Sequence, residues 1–255
     1  MDSLAQVFIC FAAEDRYNVA EPIVYHLRNY GIKIWYDRHT LLLGDNRIEK
    51  NLNEGAAKCE YAIVVLSQHT IHSVCAMEEL TVIKERQIRG KVTVFPILYE
   101  LPPSAVPNKL QWVNELIFKE ANRCSGTREI CNHIACKITG DLLNNSKYKS
   151  IQDILNANLV ILPPATNAML KCYQDIDSTN LNSRVTMLYS TYLNIIHSKV
   201  MPTNPSILMV SKIFKRLFSE TRLDLEIDYR ELWLLENSIC ILIDCYLASC
   251  IESKT

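Results

Sequence analysis

Two hydrophobic patterns alternate along the first 143 positions of the chain. Short apolar runs rich in β-branched residues indicate strands, and longer segments with apolar residues on one side indicate helices. The clearest run, Tyr61–Leu66, has no polar residues at period two, which is typical of a strand covered on both faces. The predicted strands are Gln6–Phe11, Ile32–Tyr36, Tyr61–Leu66, Val92–Leu98 and Leu116–Phe118.

Helical patterns separate these strands. The predicted helices are Val19–Tyr30, Asn46–Ala57, Val74–Arg89 and Thr127–Leu143. Alternation of strand and helix predicts an α/β fold, with a parallel sheet covered by helices on both faces. For five strands the flavodoxin-like order 2-1-3-4-5 is the first choice, and it reverses between strands one and three. Pro96 predicts that the fourth strand lies near an edge or a bulge.

The chain changes character after residue 143. The polar stretch Asn144–Lys149 is typical of a linker, and the residues after it show helical patterns without a convincing strand. We therefore predict a first domain at 1–143, a linker at 144–150 and a small all-α domain at 151–255. The helices predicted in the second domain are Ala165–Tyr173, Ser183–His197, Pro205–Phe218 and Tyr229–Cys250.

The last helical segment is about as long as a membrane span. Glu236 and Asp244 interrupt the stretch Leu232–Ile251, and an acidic residue near the centre of a span costs about 3 kcal/mol on insertion. A core or dimer helix is the preferred interpretation, and no membrane partner is expected.

The composition argues against a nucleic-acid-binding protein and against a secreted protein. A net charge of −1 over 255 residues gives no reason to expect a nucleic-acid partner. Ten cysteines are scattered through apolar positions such as Cys10, Cys59 and Cys240, which favours buried reduced thiols in a cytoplasmic protein. A secretory signal peptide is not expected, because Asp2 stands in place of a basic N-terminal region and the apolar run ends at Glu14.

The segment around residue 130 contains side chains of the types that bind zinc. The candidate ligands are Cys124, Cys131, His133 and Cys136. Cys131 and Cys136 are five positions apart on one predicted helix and face different directions, and no paired Cys-x-x-Cys knuckle occurs. We interpret these residues as core thiols and expect no metal.

The sheet order predicts where a ligand binds. Ligands of open α/β sheets lie beyond the carboxyl ends of the strands, at the point where strand order reverses. The walls of this crevice are then Cys10–Asp15 and Ser67–Glu79, and the loop Asp37–Asp45 is placed to fold over it. Phe11, Tyr36 and Trp35 are either ligand contacts or core aromatics, and the core is favoured for Trp35 because it lies inside a predicted strand. Ser67 either caps its strand or contacts the ligand. His69 and His72 are interpreted as polar loop residues.

Two adjacent acidic residues begin the helix that follows the central strand. If Ser73 caps this helix, Glu78 faces water and Glu79 borders the apolar face. An acid in the first turns complements the helix dipole, which accounts for Glu78. A carboxylate beside an apolar stripe carries a desolvation cost unless a cation or a donor contacts it. Glu79 is therefore the candidate for chemistry.

Six segments, in order and spacing, resemble the TIR (Toll/interleukin receptor) domain, particularly its bacterial NAD-cleaving branch. They are Phe8–Asp15, Ile34–Asp37, Leu43–Asp45, Val64–Ser67, Cys75–Leu80 and Phe95–Ile97. The resemblance covers residues 6–140 and leaves the helical part uncovered. It implies the flavodoxin-like fold and matches Glu79 to the catalytic glutamate of the family. It also matches the loop Asp37–Asp45 to the BB loop, which contacts neighbouring domains in assemblies.

The resemblance also implies the substrate and the residues that bind it. NAD is the expected substrate, with no separate cofactor, and self-association through both domains is expected. The expected substrate-binding residues are Phe11, Ala12, Asp15, Tyr36, Asp37, Leu43, Gly44, Ser67 and Cys75. The chain departs from the family at Cys75, where many members carry tryptophan, and at Phe11, where tyrosine or histidine is frequent. The BB loop carries Leu41, Leu42 and Leu43 and lacks proline.

A single carboxylate suffices for the implied reaction. The nicotinamide of NAD is a cationic pyridinium, so it leaves as a neutral group without a proton from a general acid. Other glycosides use two carboxylates. The first hypothesis is thus an NAD glycohydrolase or cyclase in defence or cell-death signalling. The alternatives are a non-catalytic TIR adaptor that docks through its leucine-rich BB loop, and a nucleoside-type ribosyltransferase.

Overall fold

The computed structural model describes residues 7–198, 204–222 and 226–252. They form two compact units. The first unit runs to Arg28 and continues from Ile32 to Cys131, whereas the second contains Asn29–Gly31 and the chain from Asn132 onward. Gln6, predicted as the first residue of a strand, lies outside the described residues.

A five-stranded parallel sheet forms the centre of the first unit. Its strands are β1 (Val7–Cys10), β2 (Ile34–Trp35), β3 (Tyr61–Leu66), β4 (Thr93–Tyr99) and β5 (Lys119–Ala121). The order β2-β1-β3-β4-β5 confirms the predicted flavodoxin-like sheet. Every residue of β3 is buried, as its uninterrupted apolar run predicts.

Helices connect the strands at the predicted places. The α-helices are α1 (Glu21–Asn29), α2 (Asp37–Thr40), α3 (Val74–Ile88) and α4 (Arg128–Asn144). Two π-helices occur at Arg16–Ala20 and Ile48–Ala56, and 3-10 turns occur at Ala13–Asp15, Thr70–His72, Pro103–Ala105 and Asn108–Glu115. The predicted helix ends are confirmed to within one or two residues, and α2 is an unpredicted turn inside the loop Asp37–Asp45.

Pro96 lies on β4, which is next to the edge strand β5, so the fourth strand lies near an edge as predicted. Strand β4 lies between β3 and β5, and Pro96 is in register with Val64 of β3. Thr93 donates its N–H to Glu60 O of the β3 side. Since donors alternate between the two sides of a parallel strand, the nitrogen of Pro96 faces β5. Strand β5 begins only opposite Ile97, so the missing N–H removes no bond from the ladder.

The fifth strand lies three residues later than predicted. Leu116 and Phe118 pack against the core without joining the ladder, whereas Lys119–Ala121 pairs with β4. Edge strands tolerate and favour charged residues, which discourage pairing with other chains. The hydrophobic pattern therefore identified Leu116–Phe118, which packs against the core, and missed Lys119–Ala121, which pairs with β4.

The second unit is helical, as predicted. After the second half of α4 it contains α5 (Ile151–Asn156), α6 (Pro164–Asp175), α7 (Leu181–Ile196), α8 (Pro205–Arg222) and α9 (Tyr229–Glu252). Helix α7 packs against α6 and α9, and α8 packs against α9. The short helix α5, capped by Ser150, was not predicted.

The division between the units falls within α4, earlier than the predicted linker 144–150. The sequence signal at Asn144–Lys149 marks the end of this helix. The buried residues of its second half pack in the second unit: Cys136 contacts Arg230 O, and Thr139 accepts a hydrogen bond from Asn237. The sequence pattern shows where this helix ends, but it does not show in which unit the helix packs.

Helix α9 includes one stretch, Tyr229–Ile251, that is long and apolar enough to cross a bilayer. Its mean hydropathy is 1.6, and 56% of it is buried inside the structure. Glu236 of this helix accepts a hydrogen bond from Tyr173 and pairs with Arg184 at 3.3 Å. Burial and pairing of this kind are typical of a core helix.

Candidate functional site

A cavity of about 460 Å³ opens at the carboxyl ends of β1 and β3, where the strand order reverses. This size is within the range of small-molecule sites. Its wall contains the aromatic ring of Phe11, several polar loop residues and one buried carboxyl group. The lining residues are Phe11, Ala13, Glu14, Arg16, Asp37, Leu41, Arg47, Asn51, Gln68, His69, His72, Ser73, Cys75 and Glu79.

The buried carboxyl group belongs to Glu79 in α3. Ser73 caps this helix by accepting a hydrogen bond from the Ala76 N–H at 3.3 Å, as predicted. Glu79 is only 6% exposed, whereas Glu78 faces solvent and pairs with Arg47 at 2.5 Å. The structure confirms the predicted difference between the two acids.

Burial dominates the electrostatics of Glu79. Loss of solvent raises the pKa of its carboxyl group from 4.5 to about 7, and the negative charge of Asp37 adds to this rise. The thiol of Cys10, the charge of Arg47 and the amide of Asn51 favour the anion and lower the pKa in part. The balance is a carboxyl group that changes charge near neutral pH, as groups at functional sites frequently do.

One wall of the cavity is held by an ion pair. The Arg16 guanidinium donates two hydrogen bonds to the carboxylate of Asp37, at 2.8 and 2.7 Å. It also donates to Tyr36 Oη at 3.2 Å and lies 5.1 Å from the centre of the Phe11 ring. Bidentate pairing fixes both partners in one geometry, so Arg16 and Asp37 are held in place at the cavity wall.

The structure brings together four of the ten predicted site residues. Phe11, Asp37, Cys75 and Glu79 line the cavity. The other six, which are Ala12, Asp15, Tyr36, Leu43, Gly44 and Ser67, lie outside the described cavity wall. Leu43 and Gly44 are exposed on their loop, whereas the remaining four are buried.

Ser67 and Asp15 are joined in a buried hydrogen-bond network. Ser67 Oγ donates to Asp15 Oδ2 at 2.5 Å and accepts from the N–H groups of His69 and Thr70 at 3.0 and 3.1 Å. Thr70 Oγ1 donates to Val65 O at 2.9 Å. The network closes the end of β3 and connects it to the turn after β1, so Ser67 caps its strand, one of the two alternatives considered for it.

Replacing Ser67 by alanine is expected to destabilise the first unit by about 2 kcal/mol, because the buried carboxyl group and two amides lose a partner. Calorimetric unfolding measures this loss. Ser104→Ala, at an exposed position, is the matched control and should leave the unfolding temperature unchanged. Equal stability of both variants would contradict a structural role for Ser67.

Sequence reasoning missed several residues of the cavity wall. Arg16 and Asn51 belong to the two π-helices, where one extra residue per turn changes which side chains point inward. Arg47 immediately precedes the second π-helix. A helical pattern read at 3.6 residues per turn could not place them, although a buried acid such as Glu79 does require donors nearby.

The cysteines divide between core and surface. Cys10, Cys59 and Cys240 are buried, as predicted, and so are Cys131 and Cys136. Cys124 is exposed, so its interpretation as a core thiol is wrong. Within the part of the chain that the structure describes, no three His, Cys, Asp or Glu side chains form a group that could hold a metal ion.

A second cavity, of about 550 Å³, lies in the helical unit. Its charged groups are largely paired with each other: Arg184 donates to Tyr173 Oη at 2.7 Å and contacts Glu236 at 3.3 Å. The carboxylate that lines this cavity, Glu236, is occupied by Arg184 and Tyr173. The cavity at Glu79 is the better candidate for chemistry.

Fold and cavity together define the first unit as a flavodoxin-like domain with a buried carboxyl group at the switch point of its sheet. Residues 7–125 match the family model of the TIR domain. This part of the chain is a TIR domain.

Two curated proteins illustrate what the domain is similar to. The NAD(+) hydrolase TcpA of a Theionarchaea archaeon is 35% identical over 91 residues, which cover 36% of this chain and 27% of that protein. The probable 2′ cyclic ADP-D-ribose synthase TcpB of Brucella melitensis is 33% identical over 94 residues, which cover 37% of each chain. The match thus spans about a third of the length of these relatives.

Among solved structures, the TIR domain of the Toll-related receptor TRR-2 from Hydra magnipapillata is similar to this chain. The two are 24% identical, with a TM-score of 0.41, over 52% of this chain and 96% of that one.

Proposed function

We propose that the protein cleaves the bond between nicotinamide and ribose in NAD, giving nicotinamide and either ADP-ribose or a cyclic isomer. The observation that carries this proposal is the buried Glu79 carboxyl group in a cavity at the switch point of a TIR domain. Relatives of the domain named as an NAD(+) hydrolase and a 2′ cyclic ADP-D-ribose synthase support it.

The reaction needs one anion and no general acid. When the glycosidic C–N bond breaks, its electron pair goes to the pyridinium nitrogen, and nicotinamide leaves neutral. The ribose that remains has the character of an oxocarbenium ion, which an anionic Glu79 stabilises through charge and through hydrogen bonds to the ribose hydroxyls. A water oxygen then bonds to the ribose carbon and loses its proton to solvent, giving ADP-ribose. Attack by a hydroxyl within the same molecule gives a cyclic product instead.

The rest of the cavity wall suits a dinucleotide. Phe11 offers aromatic surface, and Arg47 brings a guanidinium group to the cavity wall, a group that suits a phosphate. Asp37 is neutralised by Arg16, so Glu79 is the carboxylate available to the ribose cation. Since the anion is the active form, activity is expected to rise with pH around the Glu79 pKa of about 7.

We also infer that assembly controls the activity, in a cytoplasmic defence or cell-death signal. The loop Asp37–Asp45 presents the exposed side chains of Leu42 and Leu43, which suit the apolar core of a contact between domains. The helical unit would then bring copies of the chain together. The same exposed leucines favour the second candidate function, a non-catalytic TIR adaptor.

The test is to incubate the full chain with NAD over a range of protein concentrations. We expect nicotinamide to be released, faster per molecule where the protein assembles, and mass spectrometry identifies the second product. Glu78→Ala, which changes a solvent-facing acid of the same helix, should retain activity. If the assembled protein leaves NAD intact, the enzyme proposal fails and the adaptor function is favoured.

A further inference from the structure

A chain of hydrogen bonds connects Trp35 to Glu79 through Asn51. The indole Nε1–H of Trp35 donates to Asn51 Oδ1 at 3.2 Å, and Asn51 Nδ2 donates to Glu79 Oε1. Asn51 is only 6% exposed, so water does not easily replace either contact. This series of hydrogen bonds begins at Trp35 in β2 and ends at the buried carboxyl group of Glu79 in the cavity.

The chemistry of the indole group determines which atom donates and which accepts in each of these hydrogen bonds. An indole N–H donates and cannot accept, so the oxygen of the Asn51 amide must face Trp35. The NH₂ group of the same amide must then face Glu79. Without Trp35 the amide could turn over and present its oxygen to the carboxylate, so the indole sets which group Glu79 meets.

Local packing keeps Asn51 and Trp35 together. Asn51 lies in the π-helix Ile48–Ala56, and Gly55 of the same helix lies against the Trp35 indole and the Phe8 ring. A Cβ atom at position 55 would be 2.8 Å from Trp35 Nε1 and 2.9 Å from Phe8 Cε2. The glycine permits the close approach on which the hydrogen bond depends.

Besides the neutral amide of Asn51, several ionisable groups face Glu79. They are Cys10 of β1, Asp37 after β2, and Arg47 before the π-helix. His69, His72 and Cys75 line the same cavity. Burial and Asp37 disfavour the anion, whereas Cys10, Arg47 and Asn51 favour it. Asn51 differs from the others because it is neutral at every pH and its orientation is set by Trp35.

We propose that Asn51, held by Trp35, is a positioning residue that keeps the Glu79 side chain in one orientation and favours its anionic form. The catalytic consequence rests on the proposed function, whereas the effect on the titration of Glu79 does not. A charge-assisted hydrogen bond inside a protein is strong enough to move a titration by about one pH unit.

The experiment follows the titration of Glu79 by ¹³C NMR of its side-chain carboxyl group in the full chain, assigned with Glu79→Gln. Trp35→Phe removes the indole N–H and keeps an aromatic ring, and we expect the midpoint to rise by about half a pH unit. Asn51→Leu removes the donor, and we expect a rise of about one unit. Trp112→Phe is the matched control, because Trp112 lies in the same unit and its Nε1 has no hydrogen-bond partner among the described residues. It should leave the midpoint unchanged.

The pH dependence of kcat for NAD cleavage should move by the same amounts, with little change in KM. A midpoint in folded Trp35→Phe that equals the wild-type midpoint overturns the proposal, whatever the fate of Asn51→Leu. If the midpoints move as expected but wild-type protein cleaves no NAD, the positioning role stands and the proposed function fails. A loss of stability alone would move neither the NMR midpoint nor the kcat profile of the folded variants.

Discussion

Replacing Glu79 by alanine is expected to slow release of nicotinamide from NAD by about 100- to 1,000-fold, the loss typical of one preorganised electrostatic contact to a transition state. The alanine variant lacks the anion that stabilises the ribose cation, and no other lining carboxylate is equivalent: Asp37 is paired with Arg16, and Glu14 is exposed. The measurement is nicotinamide formation at saturating NAD.

Two comparisons make this result specific to the carboxylate. Glu79→Gln keeps the shape of the side chain and its ability to hydrogen-bond but lacks the charge, so it should be nearly as slow as the alanine variant. Glu78→Ala removes the neighbouring acid, which pairs with Arg47 at the surface, and should remain within a few-fold of wild type. Equal rates for wild type and Glu79→Ala would contradict the mechanism.

Glu79→Gln is also expected to stabilise the first unit at alkaline pH. The folded protein binds the Glu79 proton more tightly than the unfolded chain, since the pKa rises from 4.5 to about 7. The stability that this proton gives is fully present below pH 4.5 and is lost as the pH rises through 7. Removing the ionisable group should therefore raise the free energy of unfolding, relative to wild type, by about 3 kcal/mol at pH 8 and by little at pH 4.5.

Denaturant unfolding of both proteins at several pH values measures this difference. Glu78→Gln, which changes a solvent-facing acid of the same helix, is the control and should not raise the free energy of unfolding by a comparable amount at pH 8. A constant difference between Glu79→Gln and wild type across this range would show that Glu79 titrates in the folded protein as it does in the unfolded chain. A substitution that stabilises the fold while it removes activity is the signature of a site kept for function.

Much of the fold could be predicted from the sequence because its signals are local. The uninterrupted apolar run Tyr61–Leu66 identified the central strand, and alternation of strands with amphipathic helices identified the parallel sheet and its switch point. The difference between Glu78 and Glu79 could be predicted from helical periodicity, because the face of a regular α-helix is determined by spacing.

The parts that could not be predicted depend on geometry that spacing does not encode. The π-helices place Arg16 and Asn51 in the cavity wall through one extra residue per turn. Pro96 is tolerated inside the sheet because its neighbour β5 begins one residue later. Asp15 and Ser67 come from distant segments that meet at the strand ends. Only the structure shows that the hydroxyl group of Ser67 donates a hydrogen bond to the buried carboxyl group of Asp15.

The position of NAD relative to Glu79 tests the central claim most directly. A structure of the full-length Glu79→Gln protein with NAD bound, in its assembled form, measures this position. We predict that the nicotinamide ribose lies in the cavity lined by Phe11, Asp37 and Cys75, with its hydroxyls within hydrogen-bonding distance of the side chain of residue 79. Binding of NAD at another place, with residue 79 turned away from the ribose, would contradict the account.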